Sequence, residues 1–340
     1  MMPTSRHLRP MLALVPILFS SFALAQNCLQ TRAAIDIGSG STKIAVAEVD
    51  TCQQRIHKML FQQQLPVAYN DALMHSADQR LPESVIKQGL AAITQEVNAA
   101  RRFHPVSIRG VGTAVFRSAE NGPQVMTLFA QHSGASLRII SQRQEALLGF
   151  ASAKATLNDP SLKDDDILVW DIGGGSMQMT TFYQKDGKMT PVIYQGKLAS
   201  VTLKNYIISL LQNKPLQADS SPNPIGTQAE NVLKFVRFYA DNDLDPTIKS
   251  LITQRKVIGI GGVHDYSLRD QFVNKPNSYT LSGLTALAAE QVNKSDDQLS
   301  GDYRATDISN LLLVEGYMQA LNIPQVTLAK ASLVQGLLTE

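Results

Sequence analysis

Two aspartates, Asp36 and Asp171, each end an apolar segment and precede a turn of glycine and serine residues. Strand-like residues resume after each turn, so each motif predicts a β-hairpin with a glycine turn. Because glycine has no Cβ atom, the N–H groups of such a turn can come close to a bound oxyanion. A carboxylate at the mouth of the turn can hold a divalent metal ion or its water. For either motif alone, the alternative is a structural turn with a capping aspartate.

A third glycine turn, at Gly261 and Gly262, follows another apolar segment later in the chain. The repetition indicates two related lobes that face each other across a cleft, each with a loop that cradles phosphate. The predicted metal ligands are Asp171 and Asp36, and the predicted ion is Mg²⁺ or Mn²⁺. The predicted phosphate-binding residues lie in the three turns and are Asp36, Gly38, Ser39, Ser41, Gly173, Gly174, Gly175, Ser176, Gly261 and Gly262.

The order of several segments along the chain resembles that of the actin-like ATPase superfamily. These segments are residues 36–41, 112–117, 139–141 with 144–146, the Asp171 hairpin, the turn at 259–262 and residues 333–340. Within the superfamily, the chain is most similar to the exopolyphosphatase and guanosine pentaphosphate phosphatase (Ppx/GppA) family in its short, two-lobed form. The resemblance implies an α/β fold with two actin-like (ribonuclease H-like) lobes and a phosphate-binding cleft between them. We expect the N-terminal lobe at 26–148 and the C-terminal lobe at 149–340.

Glu145 and Arg117 are the catalytic residues that the resemblance implies. In that family a glutamate after an Ile-Ile-Ser strand is the catalytic base, and this position is Glu145. As a general base, it would take a proton from the water that attacks the terminal phosphorus. Arg117 matches a family arginine, and its guanidinium group suits a two-point contact with a phosphoryl group. The structural alternatives are a plain carboxylate at a helix start and a solvated surface arginine.

The chain also departs from the family pattern. Gln178 and Gln335 stand where the family usually has glutamate, and the glutamines at 62–64 stand where family members commonly carry a basic side chain. The first change predicts weaker metal binding and an activity reduced by Gln178. The loss of basic residues predicts a weaker grip on polyanions by the first lobe. His264, just after the third turn, is interpreted as a structural residue.

Residues 1–25 are predicted to be a signal peptide. Arg6 and Arg9 precede an apolar core, and the small residues at 23–25 fit a cleavage site. A retained N-terminal anchor is the alternative. Cleavage predicts a periplasmic or secreted protein with no membrane contact.

The charge of the remaining chain is balanced. Without Arg6 and Arg9, it has 29 basic and 29 acidic residues. It therefore has no global basic field that would attract nucleic acid, and any attraction for polyphosphate must be local to the cleft. The family is often dimeric, so the resemblance leaves a homodimer open.

The chain has two cysteines, Cys28 and Cys52, which flank the first predicted hairpin. The two ends of an antiparallel hairpin lie side by side, so in an oxidising compartment these residues are expected to form a disulfide. The alternative is a pair of inert thiols.

These observations predict an exported phosphohydrolase that releases terminal phosphate from linear polyphosphate. The reaction would be a metal-assisted attack of water activated by Glu145. Two alternatives remain. One is a polyphosphate- or nucleotide-binding protein with weakened catalysis, and the other is an exported nucleotide phosphatase that acts on compounds such as ATP or pppGpp.

Overall fold

The computed structural model describes residues 28–159, 161–217, 219–301 and 303–340. The predicted signal peptide at 1–25 lies outside these residues. The described chain forms two mixed β-sheets with helices packed against them, which confirms the predicted α/β class. No helix in these ranges has the length and apolar character needed to cross a membrane.

The first sheet has five strands, which are β1 (Leu29–Ile37), β2 (Ser41–Asp50), β3 (Arg55–Pro66), β4 (Ser107–Gly112) and β5 (Ser136–Ile139). Their order is β3-β2-β1-β4-β5, with antiparallel pairing in the first hairpins and parallel pairing from β1 to β5. Residues 33–37 of β1 are buried because helices cover both faces of the sheet. This explains why Ala33, Ala34 and Ile35 are apolar in succession and do not alternate with polar residues.

The helices that follow in this part of the chain are α1 (Tyr69–Met74), α2 (Glu83–Arg101), α3 (Ala114–Ser118), α4 (Gly122–Ser133) and α5 (Gln142–Leu157). Helix α2 packs on the sheet through an apolar stripe that includes Val85, Ile93 and Val97, in line with its predicted helical spacing. The sequence predicts that Arg117 lies on a loop, whereas the structure has the short helix α3 there.

The second sheet has six strands, which are β6 (Ile167–Ile172), β7 (Met177–Lys185), β8 (Lys188–Gly196), β9 (Lys256–Ile260), β10 (Ser278–Thr280) and β11 (Gln325–Leu328). Their order is β10-β11-β9-β6-β7-β8. The run β8-β7-β6-β9-β11 repeats the order and strand directions of β3-β2-β1-β4-β5. The two lobes are therefore related in topology, as the repeated hairpin motif predicts.

The helices of the second part are α6 (Ser200–Tyr206), α7 (Ala229–Asp243), α8 (Pro246–Ile252), α9 (Arg269–Gln271), α10 (Leu281–Gln291), α11 (Arg304–Ala320) and α12 (Leu333–Thr339). Two π-helical segments, Ile207–Leu211 and Val263–Leu268, extend α6 and precede α9. Helix α11 is buried in the core of the second lobe, so it has no polar face of the kind seen on a surface helix.

The last helix returns to the first lobe. Leu333, Leu337 and Leu338 of α12 pack in one apolar cluster with residues of β1 and β2, and the carbonyl oxygen of Leu338 accepts a hydrogen bond from Arg32. The predicted division at residue 148 falls within α5, and the end of the predicted C-terminal lobe lies against the first sheet. As a boundary between folding units, it stays a prediction.

Cys28 and Cys52 form a disulfide, with their Cα atoms 5.5 Å apart. This confirms the predicted pairing. The bond joins the two ends of the first hairpin, at the end of β1 and β2 that is opposite to the glycine turn.

Candidate active site

The two predicted glycine turns share one backbone geometry. In the first turn, the N–H group of Gly38 donates to the carbonyl oxygen of Ser41 at 2.9 Å. In the second turn, the N–H group of Gly173 donates to the carbonyl oxygen of Ser176 at 2.9 Å. The turns are therefore structurally equivalent, as the repeated sequence pattern predicts.

Each turn is tied to the helix that follows the third strand of its lobe. The N–H group of Asn70, in α1, donates to the carbonyl oxygen of Ser39, and that of Val201, in α6, donates to Gly174, both at 2.9 Å. A Cβ atom placed on Gly174 would lie 3.3 Å from the Cβ atom of Ser39. The two turns thus meet across the cleft, and glycine at 174 leaves room between them.

A cavity of about 380 Å³ lies between the lobes where the turns meet. The predicted phosphate-binding residues line it, except for Gly175. The predicted metal ligands Asp36 and Asp171 and the predicted base Glu145 line it as well, whereas Arg117 does not. The three glycine turns therefore converge on a single site.

Three carboxyl groups around this cavity are buried close enough to influence one another. Burial raises the pKa of Asp171 to about 6, and the charge of Asp36 adds to the increase. Burial also raises the pKa of Asp36, against the lowering effect of the Lys43 ammonium. Burial raises the pKa of Glu145 to about 7; the Arg117 guanidinium opposes this increase and Asp171 reinforces it. Asp36 and Asp171 therefore both act on the pKa of the predicted base.

Arg117 lies behind Glu145. Its Nη1 atom is 2.7 Å from Oε2 of Glu145 and donates to the carbonyl oxygen of Ile140 at 2.9 Å. The ion pair holds the carboxylate at the edge of the cavity. The structure thus brings Arg117 to the predicted base, and its contact with a phosphoryl group stays a prediction.

Helix α5 presents Glu145 in its first turn. The Oγ atom of Ser141 accepts from the N–H group of Gln144 at 3.2 Å, and Oε1 of Gln144 accepts from the N–H group of Ser141 at 2.9 Å. This capping box starts the helix at Gln142, earlier than the predicted start at Glu145. Glu145 is therefore held by a well-capped helix end as well as by its ion pair.

Asp36 and Asp171 fit a divalent cation. Oδ1 of Asp36 is buried without a hydrogen-bond partner, and a Cβ atom on Gly261 would lie 2.3 Å from Oδ1 of Asp171. Glycine at 261 therefore keeps the space beside that oxygen open. In the described part of the chain, the one group of three candidate ligand atoms within 4.8 Å lies at the Cys28–Cys52 disulfide. A cation at the two aspartates would thus also need water or substrate oxygens as ligands.

The glutamines that stand in place of family carboxylates make hydrogen bonds within the protein. Gln178 is buried and donates from Nε2 to Oγ of Ser176 at 3.1 Å. Gln335 accepts the N–H group of Ser332 at 2.9 Å and so caps α12. Neither lines the cavity, whereas Gln64 does. Gln178 therefore supports the second turn from behind, and its effect on activity stays a prediction.

His264 is fully buried behind the third turn. Its Nδ1 atom lies 2.6 Å from the hydroxyl group of Tyr279, and burial lowers its pKa to about 3. The imidazole is therefore neutral at ordinary pH, which agrees with the structural interpretation.

Two lysines that line the cavity, Lys43 in β2 and Lys204 in α6, are absent from the predicted site residues. The sequence does carry a signal for Lys43, since it occupies the strand position that pairs with Asp36. Lys204 has no local signal. It lies within a helix whose orientation toward the cleft is decided by tertiary packing.

Comparisons with known proteins agree with this geometry. Residues 57–193 match the model of the Ppx/GppA phosphatase family, a segment that contains Glu145 and Asp171 but not the first glycine turn. A Ppx/GppA family member from Aquifex aeolicus is 14% identical, with a TM-score of 0.69 over 92% of this chain and 97% of that chain. An exopolyphosphatase from Cytophaga hutchinsonii is 17% identical, with a TM-score of 0.68 over 90% of this chain and 96% of that chain.

The chain therefore has the two-lobed, actin-like fold of Ppx/GppA proteins, and the resemblance inferred from its motifs is confirmed. At these identities the structural matches show the fold. The family match covers the part of the site that carries Glu145 and Asp171.

Proposed function

We propose that the protein is an exported phosphohydrolase that releases the terminal phosphate of linear polyphosphate. The observation that carries the proposal is Glu145, a carboxylate with a pKa of about 7 at the edge of a cavity formed by glycine turns. A general base works best when its pKa is near the working pH. Phosphoryl transfer otherwise requires mainly positioning and charge neutralisation, which backbone N–H groups supply well.

Glu145 acts as the base in this proposal. In its ionised form it accepts a proton from the water that attacks the terminal phosphorus. Arg117 fixes the direction of the carboxylate and keeps part of the population ionised near neutral pH, because it opposes the effect of burial on the pKa. The N–H groups of the two turns orient the phosphate chain, and Lys43 adds a positive charge beside it.

Asp36 and Asp171 are the proposed ligands of Mg²⁺ or Mn²⁺. Burial raises the pKa values of both aspartates, and the charge of Asp36 raises that of Asp171 further; a bound cation would oppose both effects. When bound, the ion would neutralise charge on the phosphate oxygens. At pH values above about 6, Asp171 is ionised and able to bind it.

A nucleotide phosphatase is the second candidate. Tyr266 and Tyr303 line the cavity near the third turn, where an aromatic ring could contact a base. The same reacting groups would serve either substrate. Dependence of the rate on the base would therefore separate the two candidates.

The test is phosphate release from long-chain polyphosphate, ATP and pppGpp by the protein without residues 1–25, with Mg²⁺ or Mn²⁺ present. We expect Glu145→Gln to lower kcat by on the order of 10³-fold, because it removes the general base but keeps the shape of the side chain. Glu120→Gln, the same change on an exposed residue, is the matched control. Full activity in Glu145→Gln would contradict the proposed mechanism. Binding of polyphosphate or a nucleotide by the wild type without phosphate release would favour a binding protein.

Export is supported by the pattern at 1–25 and by the disulfide, since structural disulfides are typical of oxidising compartments. Fractionation of the producing cells, with N-terminal sequencing of the mature protein, tests it. We expect a mature chain that starts near Gln26 and lies outside the cytoplasm. A cytoplasmic chain that still begins at Met1 would contradict export.

A further inference from the structure

Lys204 is a nearly buried cation in the wall of the cleft. Its side chain lies in α6, lines the cavity, and the residue is 8% exposed. Within the described ranges, its ammonium group has neither an ion pair nor a hydrogen bond. The stem of such a lysine is buried, and a charge that no protein group pairs can bind an anion in the cavity.

Lys43 and Lys204 differ in what their charges do. Lys43 lowers the pKa values of Asp36, Asp171 and Asp265, so its charge interacts with carboxylates of the protein. Among the described residues, Lys204 forms no ion pair with a carboxylate, so its charge is available to a ligand.

The position of Lys204 follows from the anchoring of α6. The N–H groups of Ser200 and Val201 donate to the carbonyl oxygens of the second glycine turn, which fixes the first turn of the helix. Ser200 and Lys204 are spaced four apart, so they share the helix face toward the cavity. Beyond them, Nδ2 of Asn205 contacts Sδ of Met74 in α1 at 3.2 Å, so α6 reaches across to the first lobe.

The first lobe presents a neutral side chain to the same cavity. Gln64 of β3 lines it. We propose that Lys204, from the second lobe, binds the phosphate groups that lie behind the reacting one in a phosphoanhydride chain. This inference rests on the proposed function, because it assigns the binding of the remainder of the same substrate.

The alternative is a structural role, in which the aliphatic stem of Lys204 only fills space against α1. In that case its charge would make no difference to binding, and methionine would replace it without a change in affinity. The two roles therefore predict different effects on affinity when a neutral side chain of similar length replaces Lys204.

The test compares Lys204→Met, Lys204→Arg and Lys197→Met with the wild type. Lys197 is exposed just before α6 and does not line the cavity, so its substitution removes one charge at the same lobe. For long-chain polyphosphate we expect Lys204→Met to raise KM about 10- to 100-fold, the effect of one charge-assisted hydrogen bond, with kcat changed less than about threefold. Lys204→Arg should restore most of the affinity, and Lys197→Met should behave as the wild type.

The length of the phosphate chain separates the subsite from a general effect of Lys204 on the site. With pyrophosphate, which has no phosphate groups far from the reacting one, the effect of Lys204→Met on KM should be much smaller than with long chains. An equal effect on both substrates, or none on either, would overturn the subsite while leaving the hydrolase intact. Calorimetric titration with long-chain polyphosphate measures binding without turnover, so a weaker Kd in Lys204→Met would uphold the subsite even if no phosphate were released.

The titration also covers the case in which the proposed function fails. A wild type that binds no polyphosphate would refute the subsite and its proposed substrate together. ATP as a second titrant identifies the source of the phosphate chain, since a Lys204 effect confined to ATP would assign the subsite to a nucleotide.

Discussion

The two glycine turns have the same hydrogen-bond geometry, yet the strands that follow them carry different charges. Across the first hairpin Asp36 pairs with Lys43, and across the second Asp171 pairs with Gln178. The first aspartate thus faces an ammonium group and the second a neutral amide. Because Lys43 also lowers the pKa of Asp171, one lysine in the first lobe serves carboxylates of both lobes.

The residues beneath the turns differ as well. Thr42 and Met177 occupy equivalent positions and both are fully buried. Met177 packs in the apolar core of its lobe, whereas Thr42 lies near Glu96, a fully buried glutamate of α2. Burial raises the pKa of Glu96 to about 8, and Thr42 opposes the increase. A titratable group, Glu96, therefore lies near the residue beneath the first turn, whereas apolar residues surround Met177 beneath the second.

The largest effect is expected from the aspartates themselves. Asp36→Asn and Asp171→Asn should each lower kcat/KM by on the order of 10²-fold or more, because each removes charge from the proposed metal site. Asp171→Asn should also move the rise of activity with pH to lower pH, since Asp171 raises the pKa of Glu145 more than Asp36 does. Profiles of kcat/KM between pH 5 and 9 measure both effects. An unchanged profile in Asp171→Asn would show that the two carboxyl groups are not coupled.

The paired positions after the turns give a direct test of the asymmetry. Lys43→Met should reduce kcat/KM about 10- to 100-fold, because it removes the cation that both aspartates share. Gln178→Met, the matched change in the other lobe, should cost only a few-fold, from the lost hydrogen bond to Ser176. Steady-state kinetics on polyphosphate would measure both. Equal losses of kcat/KM in the two variants would contradict this asymmetry between the lobes.

A smaller change, on stability, is expected beneath the first turn. The pKa of Glu96 is about 8 in the folded protein and near 4.3 in the unfolded chain, so its contribution to stability is present at acid pH and lost as pH rises toward 8. In the wild type, ionisation of Glu96 should lower the unfolding free energy by ~4 kcal/mol between pH 5 and 8. Glu96→Gln cannot ionise, so its unfolding free energy should depend less on pH. Urea unfolding between pH 5 and 8 measures it, with Glu48→Gln as a control on the partly exposed side of β2. Parallel curves for Glu96→Gln and the wild type would contradict a buried neutral glutamate.

The turns could be predicted from sequence because their causes are local. An apolar strand, an aspartate and a glycine turn lie within a few residues of each other, and the second copy gives the relation of the lobes. The disulfide could be predicted for the same reason, since Cys28 and Cys52 lie at the two ends of one predicted hairpin.

The parts that sequence did not predict depend on contacts between distant elements. The ion pair between Arg117 and Glu145 is one of them, because it joins the short helix α3 to the start of α5. Lys204 looks like any lysine in a helix until α6 is anchored to the second turn. Likewise, the return of α12 depends on an apolar cluster assembled from segments far apart in the chain.

That return affects the order in which the protein assembles during synthesis. Ala34, Ala45 and Val49 lie on the face of the first sheet that α12 covers, and they leave the ribosome long before Leu337 does. This apolar face of the first lobe therefore lacks its contacts with α12 until the second lobe has been synthesised. We therefore expect a nascent chain stalled before residue 333 to bind chaperones more tightly than the finished one.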